Sequence, residues 1–101
     1  LTGGYDTFRA VSADSTKPIS AELGGVTPAI VLPGNWTASE LRFQAENVVT
    51  MKLYNGGFHC VATQLLVLPQ AWPPREAFLE EIRAVMRALL ITAHRKLWDH
   101  L

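Results

Sequence analysis

Hydrophobic positions recur along this sequence with two different spacings, and the switching between them sets out the elements. From Thr37 to about Tyr54, Leu41, Ala45, Val48 or Val49, and Lys52 or Leu53 follow the 3.6-residue period of a helix with one apolar face. Thr37-Ala38-Ser39-Glu40 at its start fits a capping box, with Thr37 as N-cap and Glu40 reaching back. Asn55-Gly56-Gly57 ends it at residues that accept left-handed geometry. Pro73-Pro74 opens a longer helix, with proline suited to its first position and Glu76, Glu80 and Glu81 near its positive end. Phe78, Ile82, Val85 or Met86, Leu89, Ala93 and Leu97 form its apolar stripe, and Arg95 and Lys96 suit its negative end. A shorter helix is predicted from Tyr5 to Ser15, with Phe8 and Val11 on one side; Lys17-Pro18 stops it, because a residue before proline avoids the helical region.

Between these lie short apolar runs bounded by glycine and proline. Ile19 to Leu23 reads as a strand closed by Gly24-Gly25, and Gln64 to Leu68 as a strand closed by Pro69. Pro28 to Leu32 is apolar throughout, which suits a strand buried on both faces. The order helix, strand, strand, helix, strand, helix predicts an α/β fold: part of a three-layer arrangement around a sheet of mostly parallel short strands. The 101 residues read as one unit, residues 1–101, cut from a wider sheet.

Composition agrees with a cut piece. Hydrophobic residues make up 49% and charged residues 18%, against about 25% charged in a typical soluble domain. A chain this small has much surface for its volume and should carry more charge. The lack of an initiator methionine at Leu1 points the same way. High apolar content excludes a disordered chain. A formal net charge of zero gives no footprint for nucleic acid or an anionic membrane, and no apolar run is long enough to span one. Cys60 is the single cysteine, so no internal disulfide forms. A cytoplasmic location is expected. Cys60, His59, His94 and His100 lack the number and spacing of a zinc site, so no metal is expected.

Two segments carry candidate chemistry. Ala21-Glu22-Leu23-Gly24-Gly25 puts a carboxylate at the end of a predicted strand, where catalytic groups of open α/β sheets gather; the plainer reading is a solvated strand-end glutamate. Asn55-Gly56-Gly57-Phe58-His59-Cys60 puts a thiol after glycines that let backbone approach a ligand. Its thiolate would be a strong nucleophile, and the plainer reading is a buried structural cysteine. Adjacent residues of an extended loop point apart, so His59 reads as a loop residue rather than a partner of Cys60. His94 and His100 read as surface or cap groups, and Trp36, Trp72 and Trp98 as packing residues at helix ends.

The ordered combination is more specific than either part. Glu22-Leu23-Gly24-Gly25, a proline three residues on, an apolar strand, a capped helix, then Asn55-x-Gly57-x-x-Cys60 and Ala62 resembles the catalytic domain of the NAD(P)-dependent aldehyde dehydrogenase superfamily from about Thr2 to Pro69. Leu1-Thr2-Gly3-Gly4 is similar to the family's Phe-Thr-Gly-Ser turn near the nicotinamide. The resemblance implies Cys60 as nucleophile and Glu22 as general base. It places Gly3, Gly4, Leu23 and Gly24 beside NAD or NADP, and gives Asn55 and Gly57 the shaping of the substrate loop. It implies oxidation of a small-molecule aldehyde through a thiohemiacetal and a thioester, in a homo-oligomer.

The sequence also departs from the family pattern. Val26 stands where lysine is usual, Phe58 where glutamine or glutamate is usual, and Gly4 and Phe8 replace a serine and a glycine of the turn. The 38 positions from Glu22 to Cys60 exceed the family spacing by a few, with the surplus placed between Pro33 and Thr37. No glycine-rich dinucleotide unit is present, so these residues alone are expected to be inactive. The alternatives are a CoA-acylating or phosphorylating relative, which would not need Glu22, and a non-catalytic α/β piece that self-associates.

Overall fold

A computed structural model describes residues 1–98, with the backbone alone for residue 91 and residues 93–98. The expectations for Ala93, His94, Arg95, Lys96, Leu97 and Trp98 as side chains, and for His100, therefore lie outside the described residues. The elements are α1 (Tyr5–Ser12), β1 (Thr27–Ile30), α2 (Ala38–Leu53), a 3-10 turn (Tyr54–Gly57), β2 (Thr63–Val67) and α3 (Arg75–Trp98). β1 and β2 are parallel neighbours joined through α2, as the reach of a parallel crossover requires. The α/β reading with parallel pairing holds.

The pairing register runs Thr27 to Thr63, then Pro28 to Leu65, Ala29 to Leu66 and Ile30 to Val67. It jumps by one residue at Pro28. Proline has no N–H to give to the ladder, so Gln64 is left without a partner there. The predicted strand Ile19–Leu23 is reduced to one residue: Glu22 forms a lone parallel bridge with Thr2. Its extended character survives in the alternation of half-buried Ile19, Ala21 and Leu23 with exposed Ser20 and Glu22, but no strand beside it continues the ladder.

α1 stops three residues before the predicted end. The Ser12 hydroxyl donates to the Arg9 carbonyl, and Ser15 turns the chain through its own bonds to the Lys17 backbone. These are the local side-chain contacts by which serine competes with helix continuation. α2 starts as predicted: the Glu40 N–H donates to the Thr37 hydroxyl at 3.3 Å, and the Glu40 carboxylate accepts from the Thr37 N–H at 2.7 Å. The Thr37 N–H first, and the Thr37 hydroxyl second, which donates to the same carboxylate at 2.7 Å, hold the exposed Glu40 carboxyl below the usual glutamate range. α3 begins just after the two prolines, with the Pro74 carbonyl accepting from the Phe78 N–H at 2.9 Å.

The core lies between α2, α3 and one sheet face. Leu41, Ala45 and Val49, at successive fourth positions, are the buried face of α2. Phe78, fully buried, enters beside Leu41, Ala45 and Trp72, with Val31, Leu66, Leu68, Ile82 and Val85 around them. Trp36, Trp72 and Phe78 pack edge to face, with ring centroids 4.8–5.8 Å apart. The Trp72 indole N–H donates to the Gly34 carbonyl at 2.9 Å, and a Cβ on Gly34 would come within 2.7 Å of the Trp36 ring. The three tryptophans were read as packing residues; Trp36 and Trp72 do pack here.

The other sheet face is bare. Ile30 is 66% and Leu32 73% exposed, and Leu65 and Val67 are exposed beside them. The strand predicted to be buried on both faces is covered on one, because the described residues supply helices to one side only. The molecule is a slab, 56 × 46 × 16 Å. No described helix is long and apolar enough to cross a membrane.

Candidate active site

The loop before β2 is built by three consecutive left-handed residues. Asn55, Gly56 and Gly57 have φ values of 51°, 65° and 81° and stop α2 as the sequence predicts. Asparagine tolerates this region better than other side chains. Its amide also donates to the Phe58 carbonyl at 3.1 Å, while the Phe58 N–H returns a bond to the Asn55 carbonyl. The chain then turns again: the Ala62 N–H donates to the His59 carbonyl at 3.0 Å, with Cys60 and Val61 between. Cys60 is exposed, not buried.

Glu22 approaches the same place from the other motif. Its backbone is tied by the Gly3 N–H to its carbonyl at 3.1 Å and by its own N–H to the Leu1 carbonyl at 2.8 Å. Its side chain is exposed. Gly25 lies against the Cys60 carbonyl, 3.9 Å from where a Cβ would stand, and the Thr27 hydroxyl reaches that carbonyl at 3.5 Å. One open cleft is lined by the turn residues Thr2 and Gly3, by Glu22 to Gly25, and by Phe58, His59 and Cys60. Positions far apart in the chain thus share one cleft: carboxylate, thiol and glycine turn. Gly24 lines this cleft and Gly4 does not; neither has an atom within 4 Å of a Cβ position. Asn55 and Gly57 shape the loop without lining the cleft. Among the described residues, no three acidic, histidine or cysteine side chains cluster as a metal site would.

Two expectations change. Glu22 was placed at the carboxyl edge of a strand. In the structure the cleft lies at the amino ends of β1 and β2, because Leu23–Val26 runs on from the Thr2–Glu22 bridge before β1 begins. Only relative to that single bridge is Glu22 at a carboxyl end. His59 reads from the sequence as a residue of an extended loop, and the loop is where it lies, but not extended. The segment is a turn, and both residues border the cleft. The His59 Nδ1 accepts the Val61 N–H at 3.3 Å, and its ring meets Tyr54 edge to face at 5.8 Å. Neither Thr27 nor His59 carried a sequence signal: the first contact spans 33 residues, and the second depends on a turn that the sequence did not disclose.

The aldehyde dehydrogenase family model matches residues 1–97. The chain belongs to the aldehyde dehydrogenase family. Among its relatives is a coniferyl aldehyde dehydrogenase of Pseudomonas sp. (strain HR199 / DSM 7063), 34% identical over 73 residues, which are 69% of this chain and 14% of that protein. Another is an NADP(+) succinate-semialdehyde dehydrogenase of Mycolicibacterium paratuberculosis (strain ATCC BAA-968 / K-10), 30% identical over 94 residues, 90% of this chain and 19% of that protein. The chain therefore spans less than a fifth of the length of either aldehyde dehydrogenase. No solved structure matches it.

Proposed function

We propose that this chain supplies the nucleophile and the base of an NAD(P)-dependent aldehyde dehydrogenase. The single observation that carries the reading is the cleft that Cys60, Glu22 and the Thr2-Gly3 turn share, in a chain of this family. The Cys60 thiolate attacks the aldehyde carbon, forming a C–S bond while the carbonyl electrons move to oxygen. The Cys60 N–H is suited to donate to that oxyanion. Gly3, Gly4, Leu23 and Gly24 would hold NAD or NADP, which when bound would supply the acceptor for the hydride that leaves the thiohemiacetal carbon. The C=O re-forms as a thioester. Glu22 then takes a proton from water, the resulting hydroxide adds to the thioester carbon, and the thiolate leaves as the carboxylic acid forms. A carboxylate at the thiol cleft favours water over CoA as the acyl acceptor.

The cleft also bears on substrate. Phe58, 88% exposed, and Leu23 give it apolar walls, and Glu22 is the one charged residue among its described lining. This suits an uncharged aldehyde, as the coniferyl relative's name describes, better than one carrying a carboxylate. Homo-oligomer formation and a cytoplasmic location belong to the same proposal. The bare apolar sheet face favours cover by more protein, and the residues described here are expected to be inactive alone. Replacing Cys60 with serine in the intact protein tests the core of it: NAD(P)-dependent aldehyde oxidation should disappear, and undiminished oxidation would remove Cys60 from the chemistry.

A further inference from the structure

We propose that His59 is a positioning residue that fixes the nucleophile turn by accepting the Val61 N–H on Nδ1; this rests on the reading of Cys60 as nucleophile. Cys60 sits inside a turn closed twice by its neighbour. The His59 carbonyl accepts from the Ala62 N–H at 3.0 Å and the His59 ring from the Val61 N–H at 3.3 Å. The backbone bond alone defines a four-residue turn; the ring bond pins the N–H that directly follows the thiol. The ring is itself held, edge to face against Tyr54, and it forms the wall between the Cys60 cleft and an apolar hollow lined by Met51, Tyr54 and Val61.

The geometry assigns the protonation state that the device needs. Because a donor faces Nδ1, the neutral ring carries its proton on Nε2. An imidazolium has N–H at both positions and would point a donor at a donor, so the bond exists only for the neutral ring. The turn thus holds Cys60 in place through the neutral ring.

The substitution pattern separates this role from mere space-filling. Asparagine can set its Oδ1 where His59 has Nδ1. Glutamine carries its acceptor one carbon further out, and alanine carries none. In the intact protein, His59→Asn should keep kcat close to the unaltered value. His59→Gln and His59→Ala should lower kcat by about 10- to 100-fold with a smaller change in KM, the cost of a displaced reacting atom. Alkylation of Cys60 by iodoacetamide, followed by mass spectrometry, should rank the three variants the same way. A His59→Asn variant as slow as His59→Ala, or a His59→Ala variant as fast as the unaltered protein, overturns the proposal. Cys60→Ser run alongside keeps the two readings apart. If it is inactive and asparagine fails to rescue, only the role of His59 falls; if it is active, the nucleophile assignment falls with it.

Discussion

Glu22 is bridged to Thr2 through backbone alone: its N–H donates to the Leu1 carbonyl and its carbonyl accepts from the Gly3 N–H, while the residue stays exposed and lines the cleft. Changing that side chain should therefore leave the local fold intact and report on chemistry. Glu22→Gln keeps the size and removes the base. On the proposed mechanism, in which thiol attack and hydride transfer precede the base's step, it should still give a burst of NAD(P)H, one per active site. Turnover after the burst should be about 100- to 10,000-fold slower, the usual contribution of a positioned general base. Stopped-flow absorbance at the reduced nicotinamide band would measure both phases, and an unchanged steady state would exclude Glu22 as the base.

The loop that carries Cys60 depends on backbone geometry that only glycine adopts without strain. Gly56 and Gly57 both have positive φ, but their surroundings differ: a Cβ on Gly56 meets only the edge of the Phe58 ring at 3.7 Å, whereas one on Gly57 comes within 3.3 Å of the Lys52 carbonyl. Alanine at Gly56 should cost about 1 kcal/mol, the price of the left-handed region. Alanine at Gly57 should cost about 2–3 kcal/mol, since backbone has to move as well. Urea denaturation of the two variants would read the difference, and equal losses would mean that the Lys52 contact yields freely.

At the other end of the same helix, the Thr37–Glu40 capping box should show in acid. The folded-state carboxyl of Glu40 is lowered by the Thr37 N–H first and the Thr37 hydroxyl second. A lowered folded value means that the stabilisation is complete above the ordinary glutamate range. It is lost as the pH falls through the folded value, when the carboxyl becomes neutral and its hydrogen bonds weaken. Glu40→Gln should flatten that part of the stability–pH curve. Thr37→Ala should lower stability by about 1 kcal/mol at neutral pH and shrink the acid limb only in part, since its backbone N–H still donates to Glu40. An acid limb that persists undiminished in both variants would assign it to other carboxylates.

These three sites show which features were legible in the chain itself. The capping box and the Asn55-Gly56-Gly57 stop are local, set within a few residues by side-chain chemistry and permitted φ, and both stand where the sequence predicts. The buried face of α2 follows from its period for the same reason. Strand content was less legible. Ile19–Leu23 has the composition and alternation of a strand, but a strand exists only with a neighbour, and here one residue finds one. The burial of Pro28–Leu32 depended likewise on layers beyond the described residues. For the site, motif order singled out Cys60 and Glu22, and the fold adds what neither motif states: that the cleft opens at the amino ends of β1 and β2, that Thr27 touches the Cys60 carbonyl, and that His59 and Cys60 share one turn.

The charge of the cleft leads to a prediction about substrates. Glu22 is the one charged residue among its described lining, beside Phe58 and Leu23. A substrate that brings its own carboxylate to within about 6 Å of Glu22 would feel a repulsion of about 1–3 kcal/mol, depending on how much water the cleft keeps, or about a 5- to 100-fold penalty. An uncharged aryl aldehyde escapes it and gains apolar contact with Phe58. The rate of the NAD(P)H burst should therefore be higher for benzaldehyde than for succinate semialdehyde at equal subsaturating concentration. Two controls tie the difference to charge. It should shrink as ionic strength rises, because salt screens exposed charges. It should shrink also in Glu22→Gln, whose burst survives the loss of the base. If succinate semialdehyde reacts as fast as benzaldehyde at low salt, a cation supplied to the cleft from outside these residues outweighs Glu22, and the preference for uncharged aldehydes is wrong.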